Sequence, residues 1–193
     1  PPAILELLRF HPENLKASLL RFPQWLFSLA GLSFGSGVEK SEIFKVVEKM
    51  KPMPTGIELV RIGGSGDGGY LVPDDLAGVA ACFSPGVALN ASFESQLAEL
   101  GIRSFMADYS VDCPPIDHPL FDFQKKFLGV DSRQPNIIRL DEWMNQKSPG
   151  DDDLILQMDI EGAEWPILAD AQVDTLRRFR IVVLEIHLSL IHI

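Results

Sequence analysis

Five short apolar runs recur from Val79 onward: Val79 to Phe83, Arg103 to Ala107, Asn136 to Leu140, Leu154 to Met158 and Arg180 to His187. Each has strand length, and helical stretches such as Phe93 to Leu100 and a short helix from Asp141 in "DEWMNQ" fall between them. Buried strands alternating with helices predict a mostly parallel sheet covered on both faces, a doubly wound α/β arrangement. Sheets of this kind bind ligands beyond the carboxyl ends of their strands, so the residues that follow each run carry the functional information.

Upstream of the runs, "IELVRIGGSGDGGYLVPDDL" holds two strand-like segments, Ile57 to Ile62 and Tyr70 to Val72, around a glycine-rich turn, and reads as a hairpin. The turn lacks the Lys-Ser/Thr and the following helix of a phosphate-cradling loop. Its glycines suit a hairpin that folds over a ligand with Asp67 and Tyr70 facing inward. Residues 1–50 are expected to form a helical extension, and residues 51–193 an α/β domain. The apolar stretch "LLRFPQWLFSLAGLSF" is broken by Arg21, Pro23 and Gln24 and is too short for a membrane span. Glu6 and Glu13 precede it, which does not suit a secretory leader.

The chain has 193 residues, 46% of them hydrophobic, enough to bury one sizeable core. A formal net charge of -10 disfavours a nucleic-acid surface and suits a neutral or cationic ligand. Cys82 and Cys113 have neither CxxC spacing nor a neighbouring His/Cys cluster, so no disulfide framework and no metal site is expected. They read as reduced thiols in a cytoplasmic protein.

After the first run comes "SPGVALNASFE", and each later run meets an acid at once, in "DYS", "DEW", "DIEGAEW" and "EIH". The first turn carries Gly86 where a dinucleotide fingerprint would carry three glycines, which disfavours a pyrophosphate and with it a nicotinamide dehydrogenase. A nucleoside without phosphates requires less: one glycine for close backbone approach, and a carboxylate at the next strand end for the ribose hydroxyls. Asp108 stands about twenty residues after Gly86, the separation a strand-helix-strand unit imposes on that carboxylate.

"LILQMDIEGAEWPIL", followed by "IVVLEIH" and preceded by "RIGGSGDGGYLVP" and "FSPGVALNASFE", resembles the FkbM-type family of S-adenosylmethionine-dependent methyltransferases. The core Asp159-Ile160-Glu161-Gly162-Ala163-Glu164 is the most specific element, and the likeness runs from Glu58 to His187. The resemblance implies a Rossmann-like class I methyltransferase sheet with S-adenosylmethionine over the first turn and a hydroxyl-bearing acceptor, a small molecule or glycan, near the fourth strand's end. The first turn departs from the family's glycine-rich form by carrying Ser84-Pro85-Gly86.

Methyl transfer is an in-line displacement at a sulfonium, in which the protein chiefly holds the reacting atoms collinear and excludes water. Carboxylates at strand ends suit the cofactor's cationic parts and its hydroxyls. The expected cofactor contacts are Ser84, Gly86, Asn90, Asp108 and Asp67. Asp159 is expected to meet the methionine ammonium or to orient the acceptor hydroxyl, with Glu161 beside it. Glu164 reads equally as an acid suited to a helix N-terminus. His187 is the leading candidate for a base, and His118 is a loop alternative.

Only "LSLIHI" follows the fifth run, so the sheet is expected to stop there, its missing edge lying in an absent segment or supplied by another copy. The competing reading is a non-catalytic ligand-binding module on the same scaffold.

Overall fold

The computed structural model describes residues 40–49 and 51–187. They fall into two compact units, described separately. The first contributes one helix, α1, Lys40–Lys49, whose last turn carries Lys49 at the negative end of the helix dipole. The broken apolar stretch from Leu19 to Phe34 and the final "LSLIHI" lie outside the described residues. No helix among the described residues is long and apolar enough to cross a membrane.

The second unit begins with an antiparallel hairpin, β1 (Leu59–Ile62) and β2 (Tyr70–Pro73), in the predicted place. There follow β3 (Ala81–Pro85), α2 (Ser92–Glu99), β4 (Arg103–Ala107), β5 (Phe121–Gln124), β6 (Phe127–Leu128) and β7 (Ile137–Ile138). The unit continues with α3 (Leu140–Lys147), β8 (Leu154–Met158), α4 (Glu164–Asp170), α5 (Val173–Arg177) and β9 (Phe179–Leu184).

Five strands form one sheet in the order β5-β4-β3-β8-β9, with every neighbouring pair parallel. This is the Rossmann-like architecture expected of the sequence. The third predicted strand is the exception. The segment from Asn136 to Leu140 contributes only β7, which pairs with β6 in a separate two-stranded sheet, because β5 already occupies the free side of β4. Asp141 therefore stands at no strand tip of the main sheet. It is buried in the first turn of α3, where its carboxylate accepts the Gln172 N–H at 3.1 Å.

All residues of β3 and β8 are buried, as strands covered on both faces must be. Ala81, Phe83, Leu154 and Leu156 point to one core with Leu140, Trp143 and Met144 of α3 and Ile167 of α4. Phe83 is its centre, 4.9 Å from Trp143 edge-to-face and 5.0 Å from Phe105 between ring centroids. Cys82, Ile155 and Ile181 point the other way, to Phe93 and Leu97 of α2 and to Ile62 and Val72 of the hairpin. This alternation is the period-two signature of strands, with an apolar partner on both sides.

The chain leaves β3 toward β4 and β5, then returns across the sheet to β8 and β9. The strand order thus reverses between β3 and β8, and a crevice opens beyond their carboxyl ends.

Candidate functional site

That crevice is a cavity of about 580 Å³, a size suited to a nucleoside-like ligand. It is walled by the β3–α2 turn, the tips of β4 and β8, the hairpin, and Phe127 and Leu128 of β6. Its acidic lining consists of Asp67, Glu94, Asp108, Asp159 and Glu161, and no Lys, Arg or His lines it among the described residues.

Gly86 adopts φ +90 at the end of β3, and its N–H donates to the Ala107 carbonyl at 3.0 Å. A Cβ there would overlap the Asp159 carbonyl. The glycine thus permits a close backbone approach, and the backbone that approaches is the tip of β8. Ser84, an expected cofactor contact, is a correction: its side chain is fully buried within β3 and does not line the cavity. The strand runs two residues past its predicted end, which turns Ser84 inward, where its hydroxyl meets Glu94 and Gln157.

Asp108 is buried at the tip of β4. One carboxylate oxygen accepts the Ala88 N–H at 2.8 Å, and the other accepts the Ser110 N–H at 2.7 Å and the Ser110 hydroxyl at 2.6 Å. Ala88 has φ 43, a left-handed conformation that costs a non-glycine residue energy, and Asp108 holds its N–H in place. Asn90 lines the cavity at the rim. Its amide nitrogen donates to the Asp67 carbonyl at 2.8 Å, and its oxygen accepts the Ser92 N–H at 3.1 Å. With Ser92 and Gln96, which bond the backbones of Gly64, Gly68 and Gly63, it fastens the glycine turn to the start of α2. This brings Asp67 and Tyr70 to the cavity.

At the β8 tip, Asp159 lies between the cavity and a cluster of charges. Burial and the neighbouring Glu185 carboxylate push its pKa above the ordinary aspartate value. Its Oδ1 has no hydrogen-bond partner and lies 3.8 Å from His187 Nε2, while Glu161 Oε2 lies 3.4 Å from the same nitrogen. Glu161 has φ 57, so the chain turns sharply before Gly162.

His187 does not line the cavity; it stands behind Asp159 and Glu161. Its Nδ1 is 3.2 Å from Glu164 Oε1, and this contact, with Glu161 and Asp159 nearby, raises its pKa above the ordinary value of 6.5. Glu164 is fully buried. Burial alone would raise its pKa, but the surrounding N–H groups, including Gly162 at 3.1 Å and Ile160 at 3.2 Å, and the imidazole together hold it below the ordinary glutamate value. Glu164 is thus more than a helix-end acid, since it fixes both the turn and the histidine. Ligand atoms of Asp159, Glu161 and His187 fall within 4.8 Å of one another, as do those of Asp67, Asp159 and Glu185, close enough to share a cation. In the first group the His187 ring nitrogen faces both carboxylates, and their charge favours its protonated form. His118 is spent locally, its Nδ1 accepting the Leu120 N–H at 3.2 Å.

Two wall residues escaped the sequence reading. Gln157 interrupts the apolar run "LILQM", and Glu94 occupies the buried face of α2 beside Phe93 and Leu97. A polar side chain at a core position was the available signal for both.

Among protein-family models, the methyltransferase FkbM domain matches residues 93–192, just over half of the 193-residue chain. No curated protein and no solved structure shows significant similarity to the chain. The matched segment supplies α2, the tips of β4 and β8 and the Asp159–Glu164 turn, four of the pieces that build the cavity, and the chain belongs to the FkbM methyltransferase family.

Proposed function

We propose that the protein methylates a hydroxyl group of a small molecule or glycan, with S-adenosylmethionine as donor. The observation that carries this reading is the cavity at the strand-order reversal, lined by five acids and by no basic side chain among the described residues. Such a wall disfavours phosphates and attracts a ligand bearing an ammonium and a sulfonium. Orphaned polar atoms support the fit: Asp159 Oδ1 and Glu94 Oε2 are buried without a hydrogen-bond partner.

The donor supplies an electrophilic methyl group on its sulfonium. Asp108, at the β4 tip, is the group for the ribose hydroxyls, and its bonds to Ala88 and Ser110 hold it rigid for that task. Apolar Phe127, Leu128 and Val87 offer surface for a purine. Asp159 takes the proton from the acceptor hydroxyl, because it faces the cavity and its raised pKa makes it a stronger base than an exposed aspartate. His187, pinned by Glu164, stands behind Asp159 and orients it. It acts as a positioning residue.

The test is calorimetric titration with S-adenosylmethionine and S-adenosylhomocysteine, followed by mass spectrometry of candidate alcohols incubated with labelled donor. Binding of both and transfer to a hydroxyl are expected. Absence of binding would favour the non-catalytic module.

A further inference from the structure

Glu94 is the one buried acid of the cavity wall, among the described residues, that stands outside the Asp108 and His187 networks. It is 2% exposed, and among the described residues its one partner beyond its own N–H is Ser84, while Oε2 has none. A buried carboxyl oxygen without a partner is costly, and native sites retain such groups where a ligand or a proton answers them.

The direction of the hydrogen bonds around Glu94 sets its protonation. The Tyr70 hydroxyl has one proton, which it donates to Glu185 Oε2 at 3.1 Å or to Asp159 Oδ2 at 3.5 Å. The Gln157 amide presents its oxygen to the Ser84 hydroxyl. Gln157 Oε1 therefore takes the single Ser84 proton at 2.7 Å. With that proton spent, Ser84 can only accept from Glu94, and Glu94 Oε1 must carry a hydrogen. Burial acts in the same direction and outweighs the pull of the Ser84 contact and of the residue's own N–H, so that the Glu94 pKa is pushed up. The other titratable neighbours are Cys82 on β3, a buried thiol pushed well up by burial, and Tyr70 on β2, a phenol also pushed up, so neither adds charge at neutral pH.

We propose that Glu94 is the docking group for the methionine ammonium of the donor, and that it releases its proton to solvent when the ammonium arrives. The inference rests on the reading that the cavity takes an S-adenosyl ligand. The step balances: the carboxylic acid becomes a carboxylate paired with the ammonium, and one proton passes to the buffer. Asp108 is already bonded to Ala88 and Ser110, Asp159 faces His187, and Asp67 and Glu161 are exposed at the rim, which leaves Glu94 as the enclosed acid with capacity for a new cation.

The test is isothermal titration of the full chain with S-adenosylhomocysteine, which carries the ammonium, and with methylthioadenosine, which lacks it, each in buffers of differing ionisation enthalpy. Wild-type protein is expected to release protons with the first ligand and not with the second. Its affinity for S-adenosylhomocysteine should strengthen with rising pH until free Glu94 ionises. Glu94→Gln should abolish the release and weaken S-adenosylhomocysteine on the order of tenfold or more, the loss of a charge-assisted bond. It should bind methylthioadenosine as wild type does, which also certifies its fold. Buffer-independent heats for S-adenosylhomocysteine in the wild type overturn the proposal without recourse to the variant and leave the donor assignment standing. Equal weakening of both ligands by Glu94→Gln also overturns it, because the residue would then shape the cavity rather than meet the ammonium. Failure of wild type to bind either ligand or S-adenosylmethionine removes the donor assignment, and the proposal with it.

Discussion

Glu164 Oε1 lies 3.2 Å from His187 Nδ1, joining the first turn of α4 to the residues that follow β9. The same oxygen accepts the N–H groups of Ile160 and Gly162, so one buried atom holds the turn after β8 and sets the histidine ring. Glu164→Gln should therefore lower the His187 pKa toward 6.5, followed by the imidazole proton resonances in an NMR titration. The sign for stability follows from the raised folded-state value. The histidine's contribution is fully present below its unfolded pKa of about 6.5 and fades as pH rises through the higher folded value. Unfolding titrations of wild type should show this loss on the alkaline side, and the variant should show a smaller one, since Glu161 and Asp159 remain. An unchanged His187 titration in the variant would remove Glu164 from the role.

Asp159→Asn should leave the fold intact and reduce turnover on the order of 100-fold, the usual contribution of a positioned base. Because the Asp159 pKa is raised, the wild-type rate should fall as pH drops through a value above that of an ordinary aspartate. The variant should lack this acidic limb. A pH–rate profile of both proteins decides the matter, and full activity in the variant refutes the assignment.

Asp108→Ala should weaken the donor by about 1.5 to 3 kcal/mol through loss of charge-assisted hydrogen bonds. It should also lower stability without ligand, by about 1 to 3 kcal/mol, since the Ala88 and Ser110 N–H groups lose their acceptor. Denaturant unfolding without ligand reads the second effect separately from the first. Unchanged stability would mean that the turn holds itself.

Gly86→Ala places a side chain where the φ of +90 disfavours one and where the Asp159 carbonyl already sits. The left-handed backbone alone costs about 1 to 3 kcal/mol, and relief of the overlap must move the β8 tip. Thermal unfolding should show the first effect, and a loss of both donor affinity and turnover the second. Normal turnover in the variant would show that the tip accommodates the methyl group.

The legible parts of the fold were those written in apolar runs. The strand from Arg103 to Ala107 and the one from Leu154 to Met158 stand where the sequence places them, because polar residues flank the apolar stretch of each, Arg103-Ser104 and Asp108 in the first and Asp153 and Asp159 in the second. β3 was displaced by two residues, since Ser84-Pro85 has turn chemistry yet is drawn into the sheet beside Met106 and Ala107 of β4. β5 went unseen because "FDFQ" alternates apolar and polar residues over only four positions before Lys125 and Lys126, too little for a period to show. Asn136 to Leu140 was the converse case, an apolar run whose place in the sheet β5 had taken. Within the candidate site, strand-tip position brought Gly86, Asp108, Asp159 and Glu161 to one cavity, and the hairpin brought Asp67. Glu94 and Gln157 stayed hidden, for they lie inside elements rather than after them, and only tertiary packing turns them toward the ligand space.

The contact between Gly86 and the Asp159 carbonyl gears the two halves of the sheet together. A side chain added at the first turn would therefore be felt at the β8 tip, whereas the hairpin and the outer rim lie away from this contact.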